Sequence, residues 1–365
     1  MEQFKPGLEG VVVSETEISV LDTEVEKIVI RGYDLIELAK TNSYVDIVHL
    51  LLEGELPTDE QRQEVEKKLH KYQALPTTVL DILKLQNGRF HPMDAQRTGV
   101  SVLAGYDDDL EDRSHAMNIK RSYMLLAQLP IITANSYRIL VDEPTLMPKD
   151  DLSYSANFLY MITGEVPTEQ EVKIFDKSLL LYSEHEMPNS TFTARVIAST
   201  NADLYGALTG AVSSLKGNLH GGANEAVMHM LNEVSTPEAF EELIREKLKN
   251  KEKIMGFGHR VYMDRMDPRA SVMKEHLREL SERDGDDTLL RMCEAGERVM
   301  KEEKGLFPNL DYYAAPVYWK LNIPIILYTP IFFVARTAGL TAHIIEQHEN
   351  NRIFRPRVKY IGRDY

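Results

Sequence analysis

The chain has 365 residues, 43% of them apolar, enough to bury one large core or two smaller ones and too many for a disordered protein. Its formal charge of −15 argues against the broad basic face that nucleic-acid binding needs, yet leaves room for small anions gathered by a few local arginines. The single cysteine, Cys293, excludes an internal disulfide and argues against a thiolate-ligated zinc site.

Near the N-terminus, "MEQFKPGLEG" lacks the basic and apolar regions of a signal peptide, so a reducing cytoplasm is the expected compartment. Alternating β-branched residues in "EGVVVSETEISVLD" and "EKIVIRGYD" predict two or three short strands. Beyond Gly32 the patterns are helical, which predicts a mainly α fold. Thr58 with Gln61 and Thr168 with Glu171 form capping boxes, and Thr236 before Pro237 marks another helix start. "YVDIVHLLLEGELPTDEQ" and "YSANFLYMITGEVPTEQE" echo one another, predicting two similar helical hairpins in one core. Charge density rises between Glu233 and Lys304, which suits a smaller, more exposed helical domain between larger blocks. Cys293 falls on an amphipathic helix there. Leu321–Ala335 is uncharged but short for a membrane span and broken by Pro324 and Pro330, so it reads as buried core.

Four clusters carry chemistry. In "NLHGGANEAV", His220 stands just before a helix start, where the positive end of the dipole disfavours imidazolium. A neutral imidazole there can donate to a developing oxyanion, and the two glycines permit a close approach to a ligand. The plain alternative is a capping histidine. "KIMGFGHRVYMDRMDPRA" sets His259, Arg260 and Arg269 in a loop with Gly256 and Gly258 about Phe257, a combination that suits an anionic carbonyl compound. Asp311 in "FPNLDYYAAPVYW" lies among apolar residues, which raises a carboxylate's basicity, although it also reads as a helix N-cap. Arg336, Arg352, Arg355 and Arg357 are potential carboxylate clamps. His343, Glu346 and His348 raise the possibility of a metal site, but i+5 turns away from i and i+3 on a helix. His185 and Asn189 in "HEMPNS" add further polar groups.

In order and approximate spacing, "SEHEMPNSTFTARV", "LKGNLHGGANE", "IMGFGHRVY", "DPRA", "PNLDYYAAPVY" and "YTPIFFVARTAGLTAHIIEQ" through "NNRIFRPR" resemble the citrate synthase family. "GLEGVVV", "RGYDLIELA" and "HPMDAQRTGVSVL" extend the likeness over nearly the whole chain. Within the family it looks most like the Bacillus-type citrate and 2-methylcitrate synthases. The four residues "MDRM" between Tyr262 and Asp267, where many citrate synthases have three, and the "YYAAPVYW" run tilt the reading towards 2-methylcitrate synthase.

The resemblance implies a mainly helical, two-domain homodimer with short N-terminal strands. Residues 1–222 and 323–365 would form the large domain and 223–322 the small one, with the active site in their cleft. It implies oxaloacetate and an acyl-CoA, propionyl-CoA or acetyl-CoA, as substrates, and neither a metal nor another cofactor. By motif, His220, His259 and Asp311 match the catalytic trio; His185, Arg269 and Arg336 match the oxaloacetate-binding residues. Arg355 matches an arginine contributed across the dimer interface, and Met255, Gly256, Phe257, Gly258 and Asn309 would line the coenzyme A side. Asp311 would then remove the α-proton of the thioester, His220 would donate to its oxygen, and His259 would polarise the ketone. The rival readings are a catalytically silent helical interaction protein of the same fold and a metal-dependent hydrolase. Acetyl-CoA and propionyl-CoA differ by one methylene, worth only about 1–3 kcal/mol in a pocket.

Overall fold

The computed structural model describes residues 4–363 apart from Glu9, Thr23, Glu26, Asn87, Arg260, Val261, Met263 and Asp264. The loop residues Arg260, Met263 and Asp264 named above therefore lie outside the described residues. A small antiparallel sheet, β1 (Ser19–Asp22), β2 (Lys27–Ile30) and β3 (Tyr33–Asp34), has the order β1-β2-β3. Arg31 and Gly32 join β2 to β3 with φ of 49° and 88°, the two left-handed residues that a tight hairpin turn requires. These three strands fall within the two phrases that predict two or three short strands. Val12, in the stretch before β1, is 90% exposed.

The first half of the helical body contains α1 (Leu35–Thr41), α2 (Tyr44–Glu53), α3 (Asp59–Lys71), α4 (Thr77–Leu85), α5 (Pro92–Ala104) and α6 (His115–Leu140). Next come α7 (Tyr154–Thr163), α8 (Glu169–Tyr182), α9 (Asn189–Ala198) and α10 (Leu204–Leu215). Then follow α11 (Ala223–Leu231), α12 (Pro237–Lys249), α13 (Pro268–Asp284), α14 (Thr288–Lys304), α15 (Leu310–Lys320) and α16 (Tyr328–Glu349).

The two echoing phrases fold as the hairpins α2–α3 and α7–α8. Both turns have a left-handed glycine, Gly54 and Gly164, and both second helices start with the capping boxes read from sequence. Their first tyrosines, Tyr44 and Tyr154, stack at 5.5 Å. Asp176 of α8 ties the pair together by accepting from the Tyr44 N–H (3.0 Å) and the Ser155 hydroxyl (2.7 Å).

Helix α16 runs through the core, buried from Tyr328 to Ile345, and packs against α2, α6, α8, α9 and α10. Ile325–Glu349 is long and apolar enough to cross a membrane by length and composition. However, 89% of its most apolar 18 residues are buried within the protein, as expected of a core helix. Elsewhere α12 packs on α14, and α15 contacts both α11 and α13. Cys293 is buried on α14, where its carbonyl accepts from the Tyr312 hydroxyl at 2.8 Å.

Candidate active site

A cleft of about 210 Å³ gathers His185, His220, His259, Arg269, Asp311 and Arg336. A larger hollow, about 320 Å³ beside Trp319, contains none of these residues, so volume alone does not locate the chemistry. The six arrive from different elements: His185 and His220 from loops flanking α9 and α10, His259 from the loop before α13, Arg269 and Asp311 from the first turns of α13 and α15, and Arg336 from α16.

His220 is neutral, as its position suggested, but for another reason. Gly222 is the N-cap of α11, and His220 lies two residues earlier. Its Nε2 accepts from the Ser190 N–H (3.2 Å) and lies 2.9 Å from the Ser190 hydroxyl. Ser190 is the second residue of α9, whose N-cap, Pro188, offers no side-chain acceptor. One of the orphan amides of α9 therefore finds its acceptor in an imidazole thirty residues away. An acceptor nitrogen at Nε2 places the ring proton on Nδ1. Burial, and secondarily the charge of Arg336, push the His220 pKa down to about 4. The glycines serve the loop itself: a Cβ on Gly221 would sit 2.4 Å from the Leu215 carbonyl oxygen, and the Thr329 hydroxyl donates to the Gly221 carbonyl (3.2 Å).

Asp311 is not the N-cap of α15; Asn309 is. The Asn309 carbonyl oxygen Oδ1 accepts from the Asp311 N–H (3.1 Å), and its Nδ2 donates to the Gly258 carbonyl (3.1 Å). Gly256 and Gly258, with φ of 86° and 81°, let this segment pair with 307–309: Gly258 N–H donates to Phe307, and Asn309 N–H to Gly256. Phe257 packs at a tilt against Tyr312, ring centres 4.4 Å apart. Gly256, Phe257 and Gly258 thus brace the start of α15; they and Met255 are not among the residues lining the cleft, while Asn309 lines it. The Asp311 carboxylate accepts from the Tyr182 hydroxyl at 2.6 Å. Burial raises its pKa, against the lowering effects of Tyr182 and Arg269.

Arg269 and Arg336 are both buried. Arg269 is gripped by Asp267 through Nε (3.1 Å) and Nη2 (2.8 Å). Burial pushes the Asp267 carboxyl up, yet the charge and hydrogen bonds of Arg269, with His259, together outweigh it and hold the pKa low. Arg336 donates from Nε to the Tyr182 carbonyl (2.7 Å), and burial lowers its pKa to about 10. His259 Nδ1 faces the Tyr262 N–H (3.4 Å) and its Nε2 faces the Arg269 Nη2 (3.5 Å), so both ring nitrogens meet donors. Burial, then Arg269, brings its pKa down to about 4. His185 stands edge-on to His259 at 5.0 Å; its Nε2 is buried and, among the described residues, has no hydrogen-bond partner. Burial lowers its pKa well below the usual value, with Arg269 next in effect. The arginines that disfavour imidazolium therefore also create a positive field for a dicarboxylate.

Three residues of this site went unremarked in the sequence. Ser190 lies inside the "HEMPNS" phrase, and Asp267 opens the "DPRA" phrase. Tyr182, at the end of α8, carries no local signal. Arg355 is exposed on the irregular segment after α16 and is not among the residues lining the cleft. His343, Glu346 and His348 do not converge. His343 Nε2 lies 3.2 Å from Glu184, Glu346 accepts from Arg195 (2.7 Å), and His348 Nε2 meets the Ala202 carbonyl (3.0 Å). Among the described residues no group of three or more His, Cys, Asp or Glu could hold a metal ion.

Comparison with known proteins agrees with this geometry. The family model described as citrate synthase, C-terminal domain, matches residues 7–357. A citrate synthase of Heyndrickxia coagulans is 66% identical over 360 residues, covering 99% of this chain and 96% of the relative. The citrate/2-methylcitrate synthase of Bacillus subtilis (strain 168) is 62% identical over 364 residues, covering 100% and 98%. The citrate synthase of Thermoplasma acidophilum, solved as a ternary complex with carboxymethyl coenzyme A and oxaloacetate, superposes with a TM-score of 0.94 at 29% identity, covering 100% and 98%. The chain belongs to the citrate synthase family.

Proposed function

We propose that this enzyme condenses oxaloacetate with both acetyl-CoA and propionyl-CoA, forming citrate and 2-methylcitrate and releasing coenzyme A. The observation that carries the reaction class is the convergence of Asp311, His220 and His259 beside His185, Arg269 and Arg336 in one cleft. Dual use of acyl-CoA is favoured by the 62%-identical relative named for both products. Relatives named for 2-methylcitrate alone stand at 38–41%, which weakens the preference drawn from the "MDRM" and "YYAAPVYW" segments.

In this reading oxaloacetate occupies the positive end of the cleft, its carboxylates on Arg269 and Arg336 and a polar atom on His185 Nε2. Asp311, made more basic by burial, takes the α-proton of the thioester. His220 Nδ1–H donates to the thioester oxygen as negative charge grows there. The enol carbon attacks the ketone, His259 donates a proton to the new alkoxide, and water cleaves the thioester. Two imidazole donors and two guanidinium groups provide the polarisation, so we assign no metal or other cofactor; the coenzyme A thioester is a substrate.

The cleft is smaller than the roughly 300–1,000 Å³ typical of sites for larger ligands. Entry of coenzyme A therefore calls for opening between residues 223–322, which carry His259, Arg269 and Asp311, and the remainder, which carries His185, His220 and Arg336. Met255 to Gly258 and Asn309 lie on the side we assign to coenzyme A. We further place the enzyme in the cytoplasm as a homodimer, with Arg355 reaching the partner's site. An exposed apolar tail supports the dimer: Ile353, Val358 and Ile361 are 59%, 91% and 88% exposed.

The test is kcat/KM for the two acyl-CoAs with oxaloacetate. Turnover of both, with a preference below about 200-fold, fits a pocket that distinguishes one methylene. Turnover of one alone overturns the dual assignment.

A further inference from the structure

Tyr182, the last residue of α8, is 2% exposed and touches both sides of the cleft. Its hydroxyl donates to Asp311 Oδ1 at 2.6 Å, while its carbonyl accepts from Arg336 Nε at 2.7 Å. Its ring packs on Phe332 at 4.7 Å, and Phe332 in turn lies 4.8 Å from the Arg336 guanidinium carbon. A single side chain and its own peptide thus join the base to the carboxylate clamp. The backbone of Asp311 is held as well, through its N–H to Asn309. With the main chain fixed and Oδ1 engaged, rotation of the carboxylate breaks a charge-assisted hydrogen bond.

We propose that Tyr182 is a positioning residue for proton abstraction: its hydroxyl pins Asp311 Oδ1, so that Oδ2 takes the α-proton, and its carbonyl sets the base in register with Arg336. This inference rests on the condensation reading and adds to it the orientation of the base. In the step concerned, the Cα–H bond breaks, the proton passes to Oδ2, and the electron pair forms the enolate, whose oxygen accepts from His220 Nδ1–H. Tyr182 keeps its own proton. Burial and the neighbouring carboxylate push its phenol well above the ordinary pKa, so it remains a donor throughout the working range.

The hydroxyl also opposes the effect of burial on Asp311. Its removal therefore raises the carboxyl pKa further, and the acid limb of kcat, which reports ionisation of the base, moves to higher pH. A residue that merely fills space would leave that limb where it is.

The experiment is Tyr182→Phe in the full-length enzyme, with kcat and the oxaloacetate KM measured across pH by coenzyme A release. Expected are a fall in kcat of about ten- to a hundredfold, the worth of one hydrogen bond to a charged group, and an acid limb displaced upward. The oxaloacetate KM stays unchanged, because the carbonyl that holds Arg336 remains. As a second variant that keeps the hydroxyl, 3-fluorotyrosine at position 182 supplies a more acidic donor and moves the limb downward. A limb that stays in place in both variants, or a loss confined to KM, overturns the proposal. Wild-type enzyme inactive with both acyl-CoAs overturns the condensation reading and this inference with it; active wild type with indifferent variants overturns only the inference.

Discussion

Because the two nitrogens of His220 have separate partners, two substitutions separate their roles. Asparagine places an amide near the position of Nδ1, and glutamine places one near Nε2. In His220→Gln the amide oxygen accepts the Ser190 N–H, now 3.2 Å from Nε2, and nothing donates to the thioester. Loss of one oxyanion donor costs about 3–4 kcal/mol of barrier, so kcat falls by about 10²–10³. In His220→Asn the donor towards the thioester survives, but the Ser190 amide loses its acceptor. Since Pro188 offers no side-chain cap, α9 then loses a capping interaction worth about 1 kcal/mol. The expected pattern is crossed: the glutamine variant is the more stable and less active, the asparagine variant the more active and less stable. Coenzyme A release gives kcat, and urea unfolding monitored by the single tryptophan, Trp319, gives stability. Higher activity in the glutamine variant would refute the assignment of the ring proton to Nδ1.

Asp311→Asn abolishes condensation but leaves oxaloacetate binding largely intact, as titration calorimetry would show. Burial raises the folded-state pKa of Asp311, so its ionised form costs stability, a cost absent below the unfolded pKa and growing as pH rises through the folded value. The variant should therefore melt higher than wild type at neutral pH and equally in acid; a lower melt at neutral pH contradicts the desolvation. His220 and His259 have folded pKa values near 4, below the unfolded value of about 6.5. Their contributions are intact above that value and lost as pH falls towards 4; replacing His259 with glutamine should flatten the acid side of the stability curve. Asp267→Asn removes the counter-charge of buried Arg269 and costs about 3–5 kcal/mol. Oxaloacetate should then raise Tm more in this variant than in wild type; an equal rise excludes contact with Arg269. Arg355→Ala should impair oxaloacetate turnover without changing the fold of one chain, and full activity in a stably monomeric variant contradicts a cross-subunit role.

Much of the fold was legible because its signals are local. Thr58 with Gln61 and Thr168 with Glu171 mark helix starts within four residues, and the chain-wide motif order brought the six cleft residues into view. What escaped depends on tertiary contacts. The neutrality of His220 comes from burial and is matched by the N-terminus of α9, not by the helix that follows it. Asn309 and Asp311 are equally good caps by residue type, and only the pairing of 256–258 with 307–309 selects Asn309. Tyr182 is one of 17 tyrosines and gains significance only where α8 ends against α15 and α16. The short strands β1 to β3 were legible for the same reason as the capped helices, since their β-branched residues sit in two compact phrases.

The most direct measurement is release of free coenzyme A thiol by the purified protein from acetyl-CoA and from propionyl-CoA, each with and without oxaloacetate. Thiol should appear with either acyl-CoA only when oxaloacetate is present, and should persist after exhaustive chelation. Release without oxaloacetate, or none with either acyl-CoA when it is supplied, would contradict the condensing function.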